Sequence, residues 1–449
     1  MKLKNSTSLK KLINEHKIIL SVYGLGNVGG PIAAAWLRKN AKIIGVDVSK
    51  KLLNQIKENK SHKHEPFLSN TFSESLSNGT LELTTDGIYA SKKSMIKIVA
   101  VPVAIKNKKI DLSIIKIAIN NISRGLKKGD SVVVCPSLPP GTCEKILLPI
   151  LEKNSKLKPE RDFNLIYNPE RIFEGRALQD IEENYPAIVS GIGKNSLAYA
   201  EKLLKIISKK GVIAMSTISA AESEKLFEGV YRDVNIALAN ELSNFCKHTK
   251  TNYWEIIKAT NSQPFCHLHY PGTGVGGLCI PIYPQFVINS AKKLNVSTQL
   301  IESSREINDS MPIKCANDSL KLIKKSKNKK NKIAVLGLGF RGDVYDSRLS
   351  PTYSVVETFL KNGFTVAVHD PFIKDDNSLP KNVELSHNLS KVIKNASLIF
   401  VATDHKQYKK LTKKQLINPK NPIPIYDGRN ILNKKYFDNV KLVTIGINN

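Results

Sequence analysis

The stretch Ile18-Ile-Leu-Ser-Val-Tyr23-Gly24-Leu-Gly26-Asn27-Val28-Gly29 decides how the rest of the chain is read. A strand-type apolar run enters three glycines at dinucleotide-binding spacing; a helix-like segment follows to Arg38, and a second strand ends in Asp47. Each part has a physical task. The glycines allow a tight turn and close backbone approach to a phosphate, the helix N-terminus offers N–H groups to a pyrophosphate, and the carboxylate accepts from a ribose 2′-hydroxyl. Strand, turn, helix, second strand and acid in register predict a Rossmann unit with Gly24, Gly26, Asn27, Val28, Gly29 and Asp47 against the cofactor. Asp47 would repel a 2′-phosphate, so NAD is expected rather than NADP.

Working outward, strand-type runs alternate with helix-length segments at Ile18–Tyr23, Lys42–Val46, Ile96–Val101, Ser131–Cys135, Asn164–Tyr167 and Ala187–Ser190. That alternation predicts an α/β fold with a parallel sheet covered on both faces. Before it, basic Met1 to Lys17 reads as a frayed extension. From Ser219 the pattern turns helical, opened by Ser219-Ala-Ala-Glu222 as a capping box, with Leu226, Phe227, Val230, Val234, Ala237, Leu238 and Leu242 at helical spacing. These apolar positions outnumber what one small domain needs, so the helix is expected to build at least a dimer. Lysine-rich Lys321 to Lys332 reads as a solvated linker, after which strand runs resume at Ile333–Leu336, Phe364–His369, Leu398–Ala402 and Ile423–Tyr426. The expected organisation is an NAD-binding Rossmann domain over 1–215, a central helical region over 216–320, the linker over 321–332 and a Rossmann-like domain over 333–449.

Composition excludes several classes. With 449 residues and 41% hydrophobic content the chain is globular and multidomain. The formal charge of +29 favours anionic ligands, but the lysines are dispersed and lack the interleaved aromatics of a base-stacking surface, so nucleic acid is not an expected partner. Six cysteines without Cys-x-x-Cys spacing exclude zinc ribbons and disulfide scaffolds, no metal site is expected, and reduced thiols suit a cytoplasmic location. No apolar run has membrane-spanning length.

Three further motifs carry chemistry. Gly337-Leu-Gly339-Phe-Arg341-Gly342 repeats the first glycine expression, but its acid follows as His369-Asp370 and its flank holds Arg341 and Arg348, donors suited to phosphate. It predicts a duplicated Rossmann-like architecture holding another ligand. Pro271-Gly272-Thr-Gly274-Val-Gly276-Gly277-Leu-Cys279 is dense enough in glycine to wrap a ligand and present a thiol to it. A free cysteine is otherwise most often a packing residue, which is how the other five are read. Asn168-Pro-Glu170-Arg-Ile-Phe-Glu174 spaces two carboxylates to share a face if the segment is helical; solvated surface charges are the plainer alternative, as they are for Lys225.

Together with Pro139-Pro-Gly-Thr142, Arg232-Asp-Val-Asn-Ile-Ala-Leu-Ala-Asn-Glu241, Arg305-Glu-Ile-Asn308, Asp346-Ser-Arg348 and Thr403-Asp-His405, these motifs resemble, over almost the whole chain, the nucleotide-sugar 6-dehydrogenase family. The resemblance implies a UDP-binding C-terminal domain, a homodimer or higher homo-oligomer, and a four-electron oxidation of a sugar 6-hydroxymethyl group to a carboxylate through a cysteine thioester. It implies Cys279 as nucleophile, Lys225 as the cation for the oxyanion, Glu170 as activator of water, and Glu174 and Ser137 beside them. It places Arg341, Tyr283 and the glycines Gly272, Gly274, Gly276 and Gly277 on the substrate side, and Arg348 toward NAD. Glu170-Arg171 and the Arg232–Asn240 segment resemble the N-acetylhexosamine branch, favouring UDP-N-acetylmannosamine over UDP-N-acetylglucosamine and UDP-glucose. Four positions depart from the family pattern: Gly229 stands where relatives carry asparagine, Tyr283 where they carry aspartate, Leu278 where histidine is frequent and Phe265 where arginine is frequent. A tyrosine is a poor base at neutral pH but still donates a hydrogen bond. The departures leave a non-catalytic nucleotide-sugar-binding protein as the competing class.

Overall fold

The computed structural model describes residues 6–62, 65–106, 109–323, 331–416 and 423–447, and the chain divides into two compact units, Met1–Phe227 and Glu228–Asn449. In the first, strands β1 (Ile19–Tyr23), β2 (Lys42–Val46), β3 (Leu81–Thr84), β4 (Ile96–Val99), β7 (Ser131–Val134), β8 (Asn164–Tyr167), β9 (Ala187–Gly191) and β10 (Val212–Ala214) form one sheet in the order β10-β9-β8-β7-β4-β1-β2-β3. A separate antiparallel hairpin joins β5 (Ala104–Lys106) and β6 (Lys109–Asp111). Strand order reverses at β1, between β2 and β4, and such a switch point opens a crevice at the carboxyl ends of the strands.

The sheet is not wholly parallel as expected: β9 runs antiparallel to β8, with Ile166 opposite Gly191. Between them lie only short helical turns, Ala177–Gln179 and Asp180–Asn184, rather than a crossover helix, and the chain returns in the opposite direction.

Two other expectations are corrected. The described part of the N-terminal extension is a helix, Ser6–Asn14, not frayed chain; Leu9 and Ile13, four apart, are both fully buried in the core that holds Trp36 and Leu203. Lysines crowding that segment hide its short apolar stripe. The central helix, Ile218–Thr249, lacks the expected capping box. Thr217 Oγ1 accepts the Ala220 N–H at 3.1 Å instead, Ser219 Oγ lies 3.3 Å from the Glu144 carboxylate, and the Glu222 carboxylate accepts from the Gly141 and Cys143 N–H groups. A backbone turn short of acceptors competes better for Glu222 than the helix's own first residues.

In the second unit β11 (Lys332–Leu336), β12 (Thr365–His369), β13 (Glu384–Ser386), β14 (Ala396–Val401), β15 (Ile425–Asp427) and β16 (Leu442–Thr444) form a parallel sheet ordered β13-β12-β11-β14-β15-β16. The same reversal occurs at β11, so the chain is α/β with a Rossmann sheet in each unit and long helices, Ile218–Thr249 and Gln299–Ile323, between them in sequence. Most of the expected linker, residues 324–330, lies outside the described residues. No helix among the described residues is long and apolar enough to cross a membrane.

A tightly constrained polar contact of the first sheet is at Lys97, fully buried in β4. Its ammonium donates to the Asp130 carboxylate and to Ser94 O at 2.5 Å, while Asp130 also accepts the Lys127 N–H at 2.7 Å. Burial pulls the Lys97 ammonium down to about 8 against the attraction of Asp130. Removing one member of such a pair strands a buried charge, so Lys97→Met is expected to lower stability by ~3–5 kcal/mol in urea unfolding. Adding Asp130→Asn should recover much of the loss, because a neutral amide oxygen still caps Lys127. Equal stability of Lys97→Met and the wild type would contradict the account.

Candidate active site

At the end of β1 the three glycines divide their work. Gly24 has φ +87°, and a Cβ there would sit 2.9 Å from Ala100 O. At Gly29 a Cβ would meet Gly24 O at 1.8 Å, so the turn closes only without one. Gly26 differs: a Cβ there would meet nothing within 4 Å, and both Gly26 and Asn27 are exposed. The helix Gly29–Leu37 begins here, with Val28 at its N-cap and no side chain capping its N–H groups. Asp47, at the end of β2, accepts the Leu25 N–H at 2.9 Å and the Ser49 N–H at 2.9 Å, leaving further lone pairs for a ribose. An open glycine, an uncapped helix end and a partly exposed carboxylate fit NAD. His62, which the sequence did not single out, clamps this turn: its Nε2 donates to Leu25 O at 2.8 Å and lies against Gly30.

Also in the first unit, Glu170 follows β8, and its N–H donates to Cys135 O at 3.4 Å beyond the end of β7. Burial pushes its carboxyl up to about 7, against the pull of the nearby Lys225 ammonium and of Arg171. Lys225 is itself buried, so the solvated-surface alternative does not describe it. Ser137 is half-buried in the loop after β7, whose next turn is held by Glu222; burial pushes that carboxyl up to about 7 as well. Arg171 lies over the Tyr185 ring at 4.9 Å and donates to Pro186 O. The Glu170–Glu174 segment is irregular rather than helical, so the two carboxylates do not share a helical face; Pro169 and the turn at Gly175 interrupt any helix. The Glu65 carboxylate ties that segment down by accepting from Gly175 N at 2.6 Å and Ala177 N at 3.0 Å.

In the second unit the glycine loop packs against protein. A Cβ on Gly276 would meet Leu349 O at 2.6 Å and Phe340 Cβ at 2.7 Å; one on Gly277 would strike the Phe340 ring, and one on Gly274 would strike Pro312 and Pro351. Gly277 N donates to Arg348 O at 3.0 Å, and Gly272 N donates to Asn240 Oδ1 at 2.9 Å. Asn240 is fixed in turn by a buried chain: its amide donates to Asn308 Oδ1, Asn308 donates to Asp233, and Arg305 Nη1 donates to Asp233 Oδ1 at 2.6 Å. The two long helices thus hold the loop through side chains of the Arg232–Glu241 and Arg305–Asn308 motifs. At its end Cys279 is exposed, while Cys135, Cys143, Cys246 and Cys315 are buried and Cys266 is intermediate. Tyr283 opens the helix Tyr283–Lys293 one turn later, and its hydroxyl lies 3.3 Å from Cys279 Sγ.

The second glycine turn is built like the first but closed. Asp370 accepts from Leu338 N at 2.7 Å and Gly339 N at 2.9 Å, yet it is wholly buried beneath His405, whose ring stacks on Phe372. Burial opposes its ionisation, but His405 and the Gly339 and Phe372 N–H groups hold the carboxyl near about 2. Covered in this way, it is closed to a ligand, whereas Asp47 is partly exposed. Arg341 is half-buried beside this turn, and Arg348 is paired with Asp346, its Nη2 at 2.6 Å from Oδ2.

One open and one closed Rossmann unit, with a thiol presented by a braced glycine loop, define a nicotinamide-dependent dehydrogenase acting on a second, phosphate-bearing ligand. The chain belongs to the UDP-glucose/GDP-mannose dehydrogenase family, matching its NAD binding domain over residues 18–208, its central domain over 219–310 and its UDP binding domain over 334–434. It is therefore an NAD-dependent nucleotide-sugar dehydrogenase. It is 32% identical to a UDP-N-acetyl-D-mannosamine dehydrogenase of Methanococcus aeolicus, over 99% of this chain and 98% of that protein. It is also 32% identical to an NDP-N-acetyl-D-galactosaminuronic acid dehydrogenase of Ralstonia nicotianae, over 88% of this chain and 93% of the relative. Among solved structures, the UDP-D-ManNAc dehydrogenase of Pyrococcus horikoshii superposes with a TM-score of 0.87 at 30% identity, covering 96% of this chain and 99% of the other.

Asp47 supplies the test of the cofactor site. Asp47→Ala is expected to weaken NAD⁺ binding by about 10–100-fold, the worth of hydrogen bonds to a charged group, and to narrow the preference over NADP⁺. Titration of both cofactors by fluorescence checks it; unchanged discrimination would remove Asp47 from the ribose.

Proposed function

We propose that the chain oxidises UDP-N-acetyl-D-mannosamine to UDP-N-acetyl-D-mannosaminuronate, with Cys279 as covalent nucleophile. The observation that carries the mechanism is the exposed thiol at the end of a loop braced by Asn240 and Phe340. The choice of sugar is supported by relatives of that name at 31–34% identity over at least 92% of this chain. The N-acetylgalactosamine counterpart is the second reading, favoured by the Ralstonia relative.

Gly24–Gly29 and Asp47 would hold NAD⁺, which would supply the hydride acceptor for each of the two oxidations. The Cys279 thiolate attacks the aldehyde carbon, holding the intermediate covalently so that no free aldehyde escapes. The Lys225 ammonium stabilises the oxyanion that develops on the sugar oxygen. Glu170, its carboxyl near 7 through burial, is poised to take a proton from water at neutral pH, and that water hydrolyses the thioester. Ser137 and Glu174 are assigned to orienting this water, Arg341 with Gly272, Gly274, Gly276 and Gly277 to the substrate, and Arg348 to the cofactor.

Cys279→Ser tests the nucleophile. It should fold and bind both ligands, while steady-state NADH formation falls at least ~1,000-fold because a serine hydroxyl ionises far less readily than a thiol. Cys266→Ser, at a half-buried thiol in contact with Gln263, should retain most activity. Wild-type turnover by folded Cys279→Ser would sink the covalent mechanism. NADH formation across UDP-N-acetylmannosamine, UDP-N-acetylgalactosamine, UDP-N-acetylglucosamine and UDP-glucose identifies the sugar; binding without NADH from any of them would favour the non-catalytic class.

The assembly we propose is a homodimer formed along the central helix. Phe227, Tyr231, Leu238 and Phe245 are all exposed, by 59%, 53%, 42% and 63%, and their spacing of four, seven and seven keeps them in one stripe. A second copy would cover it. Sedimentation should show a dimer at micromolar concentration and monomer for Tyr231→Glu/Phe245→Glu; a monomeric wild type would refute the assignment.

A further inference from the structure

Two of the positions where this chain departs from its family lie against each other. Gly229 is buried in the central helix, and a Cβ built on it would meet Tyr283 Cδ2 at 2.6 Å and Tyr283 Cβ at 2.9 Å. The second contact is at the root of the tyrosine side chain, where rotation gives no relief, so any residue with a side chain at 229 would drive the ring from its place. The ring is held from the other side by sequence spacing. Cys279 O accepts the Tyr283 N–H at 2.9 Å and the Ile282 N–H at 3.1 Å, so the Cys279–Tyr283 turn leads straight into the helix and sets residues 279 and 283 one above the other. In that position the Tyr283 hydroxyl donates to Cys279 Sγ at 3.3 Å.

We propose that Tyr283 is a catalytic residue whose hydroxyl hydrogen-bonds the Cys279 sulfur, and that Gly229 is the seat its ring requires. The proposal rests on Cys279 being the nucleophile. Sulfur carries negative charge at two points of such a cycle. Before attack it is a thiolate, and its lone pair then forms the C–S bond as the carbonyl pair moves onto oxygen. In hydrolysis water adds to the thioester carbon and the C–S bond breaks. The electron pair returns to sulfur, and the acyl carbon keeps the water oxygen as a carboxylate, with the protons released to base and solvent. A neutral O–H donor aimed at sulfur favours the charged form at both points, which a carboxylate in the same place would not do. Gly229 and Tyr283 then act as one unit.

The test separates this proposal from the role of Cys279 itself. Tyr283→Phe keeps the ring and removes the donor. Alkylation of Cys279 by iodoacetamide, followed on its own peptide by mass spectrometry across pH, reads the thiolate without any turnover. The expected result is an alkylation rate at pH 7 lower by about ten-fold and a kcat reduced by a similar factor, with unchanged NAD⁺ affinity and melting temperature. Gly229→Ala, which displaces the ring instead, should move alkylation in the same direction. The double variant Gly229→Ala/Tyr283→Phe should be no worse than the poorer single, since both remove one interaction. An alkylation profile for Tyr283→Phe matching wild type, or additive losses in the double variant, overturns the proposal even if Cys279→Ser is inactive. Full turnover by Cys279→Ser would instead remove the nucleophile, and with it the catalytic role of the Tyr283 hydroxyl.

Discussion

A carboxylate at the end of the second strand, accepting the N–H groups of a glycine turn, is the contact on which both halves of the chain depend. Asp47 does this for Leu25, and Asp370 does it for Leu338 and Gly339. The contact locks the first strand of each unit to its neighbour where the chain must turn sharply into the next segment, and it orients the turn's amides. The two units diverge in what remains of the carboxylate afterwards. Asp47 keeps one side toward solvent, beside exposed Val48, whereas Asp370 is roofed by His405. The same backbone device therefore yields an open dinucleotide turn in one unit and a closed structural turn in the other. Asp427 repeats the device at the end of β15, accepting from Arg429, Ile431 and Leu432.

Much of this is legible in the chain itself, because strand-helix alternation and glycine spacing report on backbone geometry that side chains cannot override. The buried strands of both sheets and the long central helix follow from apolar period alone. What escapes is whatever depends on direction or on partners distant in sequence. Strand β9 has the composition of a parallel strand, and nothing within Ala187–Gly191 encodes its reversal. β3, four residues of alternating character at a sheet edge, and the short β10 lack the continuous apolar run that marks the interior. The capping box at Ser219 fails because Glu222 finds better use on amides some eighty positions earlier, a competition no local pattern contains.

The site shows the same division. The glycine loop before Cys279 is visible as composition, but its glycines meet Phe340, Leu349 and Pro351, side chains and backbone supplied from beyond residue 330. Asn240, Asn308 and Asp233 appear in the sequence as polar interruptions of helical stripes. In the fold they are the bracing that sets the height of the loop. Lys97 is hidden more thoroughly, since a lysine within an apolar strand looks like an exposed residue of an edge until its partner Asp130 is known.

The two carboxyls pushed up to about 7, Glu170 and Glu222, tie readiness to fragility. In the unfolded chain each ionises near the ordinary glutamate value, while in the native state each keeps its proton until about neutrality. Between those limits these two groups hold more protons in the folded chain than in the unfolded one, so their contribution to stability declines as pH rises through the window, and above it the loss is complete. The alkaline side, where Glu170 is ionised and able to serve as a base, is thus the side on which these two groups weaken the fold. A bound cationic group that paired the ionised Glu170 would return part of what its deprotonation removes.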